Sequence, residues 1–175
     1  MRNLLVFRII LFNAVGASAL GYAWLNGWVD SFIANETTGV SYVIVAVFLT
    51  GMYSLFTRAI KVSAALNKFK ETKKAADYSK LAIKNSHLGH IASWLVTIGL
   101  IGNILGFILA ISHFNISGGN EAAMASIGQM LIGMKVAFLT SFAGTVLGLW
   151  FAVNYLMVAT ATQLLIHDAR APNGE

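Results

Sequence analysis

Apolar residues fill four long runs, roughly Ile9–Trp28, Val40–Phe56, Ile91–His113 and Val136–Leu165, with polar stretches between them. A helix needs about 20 such residues to cross about 30 Å of hydrocarbon, so each run predicts a membrane span. The second is the shortest, and Arg58 stands where its charge can snorkel from the span's end. The fourth is long, and the run from Glu121 extends it, with Asn120 as candidate N-cap after Gly118-Gly119. The opening "MRNLLVFRIILFNAVGASALGYA" also has the form of a signal peptide, ending in Ala17-Ser18-Ala19, but is read here as a span. The pattern predicts an all-α membrane protein. Residues 1–57 hold two spans and a short extracytoplasmic loop, 58–90 a basic loop, 91–167 two further spans and 168–175 a short tail.

Composition agrees with that reading. Charged residues are 11% of the 175, against about 25% in a soluble domain, and the mean hydropathy is +0.71. The absence of cysteine excludes a disulfide scaffold and any thiolate metal or redox site. The net charge of +5 does not imply nucleic acid, because eight of the twelve basic residues lie in 58–84. They are Arg58, Lys61, Lys68, Lys70, Lys73, Lys74, Lys80 and Lys84. By the positive-inside rule that loop and both termini are expected on the cytoplasmic side. The first loop carries Asp30 and Glu36 without a base, as an extracytoplasmic loop does. Trp24, Trp28, Tyr42, Trp94 and Tyr155 fall near span ends, where interfacial aromatics gather. The basic loop is rich in helix formers. It reads either as a partner-docking surface or as two solvated helix extensions in contact with anionic lipid.

Within the third span, "IGLIGNILGF" places Asn103 among Gly99, Gly102 and Gly106. Asn103 shares a helical face with Gly99, Gly106 and Ala110, and Gly102 with Gly106 forms a GxxxG pair that admits a close neighbouring backbone. In the fourth span Ala137, Ser141, Gly144, Gly148 and Ala152 step by three or four, with Thr140 and Thr145 beside them. Taken separately, each stripe also reads as ordinary helix packing, with hydroxyls bonded back to the preceding turn. No Asp or Glu lies within any span, although membrane carboxylates are the usual proton or cation carriers. His87, His90 and His113 stand at span ends without metal-ligand spacing. Neither a nucleophile–base pair nor a phosphate loop is present, so no enzyme activity, cofactor or metal is expected.

The two polar stripes resemble a known family. "IGLIGNILGFILAI" is similar to the segment of the MotA–TolQ–ExbB proton-channel family that runs Leu-Gly-Leu-Leu-Gly-Thr-Val-x-Gly. "GMKVAFLTSFAGTVLGLWFAVNY" resembles that family's last span, Gly-Ile-x-x-Ala-Leu-x-x-Thr-x-x-Gly. The Ala137-Phe138…Ser141…Gly144 form also resembles the channel subunit of the Zorya anti-phage system. The likeness covers about 70 residues of the last two spans.

The resemblance implies a pentamer around two helices of a single-span MotB–ExbD–TolR-like partner, whose membrane aspartate carries the ion. Asn103 then stands at the family's threonine position in the third span, and Ser141 at that of the fourth. Asn103 and its glycines are expected to wall a central cavity opposite the Ser141 stripe, facing the partner helix, with Thr140 and Thr145 along the ion path. Asparagine in place of threonine leaves proton or sodium ions open. The glutamate of ExbB-like members falls on Val136, beside Lys135. The short cytoplasmic loop argues against flagellar rotation. These features lead to an ion-driven motor subunit in a bacterial inner membrane, host- or phage-encoded. A homo-oligomeric pore or holin-like protein is the alternative, and a four-span scaffold a third reading.

Overall fold

The computed structural model describes residues 4–36, 38–72, 78–112 and 119–170, with the backbone alone at Asn120. Five helices follow one another: α1 Leu5–Leu25, α2 Trp28–Ala34, α3 Val40–Thr72, α4 Ser79–Ser112 and α5 Gly119–Arg170. Among the described residues there is no strand. α1, α3, α4 and α5 are each long and apolar enough to cross a membrane.

Two boundaries differ from the sequence reading. The first run does not continue unbroken to Trp28, because Gly27 takes a left-handed backbone (φ 71°) and starts the short α2 in a new direction. α5 already begins at Gly119, so the expected cap Asn120 lies inside its first turn, and its side chain is outside the described residues. His113, the expected end of the third span, is also outside them.

The 58–90 segment is largely helix. No glycine or proline interrupts residues 53–72, so α3 runs on beyond its apolar stretch, and α4 begins well before its own. These extensions pack together. Ala59, Val62 and Leu66 of α3, Leu88 of α4 and Leu165 of α5 are buried there, and Phe69 meets Tyr78 edge-on at 6.2 Å. α5, with 52 residues, is about 78 Å long at 1.5 Å per residue, far more than a bilayer requires.

The core follows a seven-residue period. Ala137, Gly144, Phe151, Val158 and Leu165 of α5 are all buried, as are Leu88, Leu95 and Gly102 of α4. A strict period of seven keeps one seam in contact along gently coiled helices. Its composition changes along the way, from alanine and glycine at one end to large side chains at the basic end. α3 fits against the large-residue half, where Phe151 lies over Gly51. α1 is peripheral, with only Leu5 and Ile9 buried.

Between α2 and α3, Glu36 caps the start of α3. Its carboxylate accepts from the Thr38 N–H (2.9 Å), the Thr38 hydroxyl (2.5 Å), the Gly39 N–H (3.0 Å) and the Ser41 hydroxyl. Burial raises the carboxyl's pKa, but these donors together outweigh it and hold the group below its usual range. Glu36→Gln should therefore lower stability by about 1 kcal/mol at neutral pH, the usual worth of a helix cap. A folded pKa below the unfolded one makes this contribution complete above the ordinary carboxylate range, and it is lost as pH falls through the lowered value. Melting temperatures of both proteins should thus converge on acidification. A gap that persists at low pH would assign the effect to shape rather than charge.

Candidate functional site

The glycines of α4 and α5 face one another. A Cβ on Gly106 would lie 2.7 Å from the Ala137 Cα, and one on Gly144 would lie 2.6 Å from the Leu95 carbonyl oxygen and 2.8 Å from the Gly99 Cα. Gly99 in turn meets the Gly144 backbone and the Thr140 carbonyl, while Gly102 meets the Thr140 side chain and Gly148 meets Val96 and the Ala92 carbonyl. Gly133 continues the pattern against Ala110. Gly99, Gly102, Gly106, Ala137, Gly144 and Gly148 therefore form the α4–α5 seam within the chain. They are turned toward each other, where the sequence reading had them facing a helix from another polypeptide. With no side chain between them the two backbones approach closely, as small-residue helix pairs do in membranes.

The polar residues divide between that seam and one flank of it. Thr140 is fully buried, and its hydroxyl donates back to the carbonyls of Val136 (3.2 Å) and Ala137 (3.0 Å). It belongs to the seam. Ser141 is half-buried, and its hydroxyl points across to the Gly99 carbonyl at 3.4 Å, a long and weak contact. Thr145 is exposed and lines an open groove with Ala92, Ser93 and Thr97 of α4 and Gly148 and Ala152 of α5. The groove has a volume of about 530 Å³.

Asn103 lies seven residues after Val96, another groove residue, and Ser141 four before Thr145, so both continue the same flank. Asn103 is half-buried. Its Oδ1 is enclosed and has no hydrogen-bond partner. One turn further along each helix, Phe107 and Phe138 meet edge-on with ring centroids 6.2 Å apart, closing that end of the flank. The outcome is a single face on which an amide and several hydroxyls stand among small side chains. Val136 is buried, while Lys135 next to it is exposed.

Two further amide sites escaped the sequence reading. Asn13 of α1 donates to the Asn154 Oδ1 (2.6 Å) and the Ile9 carbonyl (2.8 Å), and accepts from the Trp150 indole N–H (2.9 Å). Asn154 donates to the Trp150 carbonyl at 2.9 Å. The Trp150 ring covers Gly16 and packs on Phe48 at 5.6 Å, so this closed network fastens the peripheral α1 to α5 and α3. The signal was present, since Asn13 and Asn154 each interrupt an apolar run as Asn103 does. The second site is Asn85, 3% exposed, whose Nδ2 donates to the Thr162 hydroxyl at 3.3 Å. Its Oδ1 has no partner.

His87 and His90 are exposed on α4. Among the described residues no group of His, Cys, Asp and Glu is placed to hold a metal ion. Comparison with family models, curated proteins and solved structures found no match to the chain.

Proposed function

We propose that this chain is the channel subunit of an ion-driven membrane motor, a compact relative of the MotA–TolQ–ExbB type. On this reading it assembles as a pentamer around a single-span partner whose membrane aspartate carries a proton or sodium ion. The excess of Lys and Arg at the basic end of the bundle favours a cytoplasmic side for it and for both termini, and the family resemblance implies a bacterial inner membrane.

The observation that carries the reading is the Asn103 Oδ1, enclosed without a donor on a face that also bears Ser141 and Thr145. A buried acceptor left unpaired costs about 1–3 kcal/mol. A protonated carboxyl from a partner helix would supply the missing O–H, and the amide's Nδ2 could donate to the same group once ionised. An amide can thus accompany a carboxyl through both states without adding a charge of its own. Thr140, sealed in the seam, serves helix contact in this scheme, and the path runs past Asn103, Ser141 and Thr145. The glycine seam gives the two path-bearing helices a fixed mutual geometry, so that the pair presents one rigid wall to the partner.

Native mass spectrometry of the complex, extracted mildly from its own membranes, tests this directly. The expected mass is five copies of this chain with two of a smaller single-span protein, and ion flux in vesicles that requires both. A homo-oligomer conducting by itself would establish the pore reading in its place.

A further inference from the structure

On the side away from the basic end, α5 reaches farther than any other described helix. Ala110 of α4 meets Gly133 of α5, so Ser112, where α4 is last described, stands opposite about Leu131. From there α5 runs on about 12 residues to Gly119, or about 18 Å at 1.5 Å per residue. α3 begins lower still. A Cβ on Gly102 would lie 2.9 Å from the Val40 side chain and 2.7 Å from that of Thr140, so these three residues share one level. Arg58 follows Val40 by 18 residues, about 27 Å of helix, which takes up nearly all of the about 30 Å of hydrocarbon. Lys135, little more than one turn beyond Thr140, then marks the far boundary, and residues 119–134 project past it.

That projection carries a heptad stripe. Met124, Ile127, Leu131, Met134 and Phe138 follow one another by three and four residues, the spacing of a helix that packs along a second helix. Met124, Ile127, Leu131 and Phe138 are between 46% and 71% exposed, and Met134 is half-buried, so the chain itself leaves the stripe open. The seam side of the same segment is closed, with Ser126 and Gly133 buried. Gly128, next to Ile127, is exposed, and a Cβ there would touch nothing in the chain. A glycine inside an exposed helix costs about 1 kcal/mol against alanine, and no contact within this chain requires one here. Close approach of another backbone does.

We infer that the α5 projections of neighbouring copies of this chain pack together as a parallel coiled coil through Met124, Ile127, Leu131 and Met134, with Gly128 beside the contact. Hydrocarbon does not cover the stripe beyond Lys135, and an apolar face of this length in water marks an interface. A second copy fits it for a geometric reason. Copies inserted the same way into one membrane present the stripe at the same height and in the same direction, which is the register of a parallel coiled coil. Charge does not oppose the contact, since residues 122–134 carry none. The inference rests on the proposed function for several copies meeting in one assembly, and goes beyond it by naming the surface. With five copies to two partner helices, most of the projections have one another as their cover.

The chain has no cysteine, so single substitutions report alone. Ile127→Cys places a thiol on the stripe. Gln129→Cys, also exposed but about 200° around the helix, is the control. Native membranes are treated with a short bis-maleimide, which spans more than a disulfide can, and the products are separated under denaturing conditions. Ile127→Cys should give a product of twice the chain's mass, about tenfold more of it than Gln129→Cys, because the contact holds its thiols together. Adding Gly128→Leu should cut that yield severalfold. Leu131→Cys replaces Ile127→Cys should the latter fail to accumulate in the membrane. Equal yields at the two positions, a product with a different polypeptide, no product at all, or a yield indifferent to Gly128→Leu overturns the coiled coil. Any of these alongside partner-dependent flux leaves the motor reading standing. Strong self-linkage in an assembly that conducts without a partner overturns the motor reading and leaves the coiled coil.

Discussion

Asn103→Leu should lower ion flux to about one-tenth to one-hundredth while leaving the protein slightly more stable. The two effects have opposite signs for one reason. Leucine keeps the branched outline of asparagine, with two methyl groups in place of the amide oxygen and nitrogen, and it removes a carbonyl oxygen that is enclosed without a donor. Relief of that unpaired group is worth about 1 kcal/mol or more in favour of the folded chain. The same change removes the amide that would meet the partner's carboxyl, and a hydrogen bond to an ionised group is worth about 1.5–3 kcal/mol. Stability bought at the cost of activity is the mark of a functional polar residue. Ser141→Ala should reduce flux less, because its hydroxyl already leans on the Gly99 carbonyl, though only at 3.4 Å. Flux through reconstituted vesicles and thermal unfolding in the same detergent decide the matter. Loss of the oligomer in Asn103→Leu would instead make the amide a bridge between copies of the chain.

Gly144→Ala should lower stability by about 3 kcal/mol or more. The new Cβ would meet the Leu95 carbonyl oxygen at 2.6 Å and the Gly99 Cα at 2.8 Å. Both are backbone atoms, so no rotamer change relieves the clash and the helices must part. Over-packing of this kind costs about 1–3 kcal/mol where side chains can yield, and more where they cannot. Parting the seam also forfeits the neighbouring contacts at Gly102 and Gly106. Gly21→Ala, where a Cβ would meet nothing, is the matched control and should be neutral or slightly stabilising through helix propensity. Melting temperature and elution volume in mild detergent compare the two. Equal behaviour would show that the α4–α5 approach is looser than these distances.

Much of the architecture was legible in the sequence. The apolar runs mark their helices because transfer into hydrocarbon is a property of each side chain, summed over a window, and needs no knowledge of neighbours. The helical character of the basic segment was readable for a similar reason, since strong helix formers carry a helix onward, and the apolar run of α5 continues toward Glu121 despite Gly128 and Gly133. The turn at Gly27 was less visible. Asn26-Gly27 is itself a turn dipeptide, but Trp24, Leu25, Trp28 and Val29 around it read equally well as the tail of a span.

The site was legible in part. Asn103, Ser141 and Thr145 could be named as polar residues on faces lined by small side chains, and of the three Thr145 lines the groove. Thr140, one residue from Ser141, is buried in the seam instead, because successive residues on a helix point about 100° apart. Asn13 and Asn154 are separated by 141 positions, and no local pattern joins them. Tyr155 looked like an interfacial aromatic, and its place over Gly89, 3.2 Å from where a Cβ would be, depends on which turn of α4 it meets.

By itself, then, the sequence determined that there are four helices long and apolar enough to cross a membrane, which end of them is basic, and which helix faces are small or polar. All of these follow from periodicity and transfer free energy within single helices. Only the tertiary structure decided what each face meets. A stripe of glycines serves a neighbour in the same chain as readily as one in another, and the choice is made by close packing between helices, whose register no single helix contains.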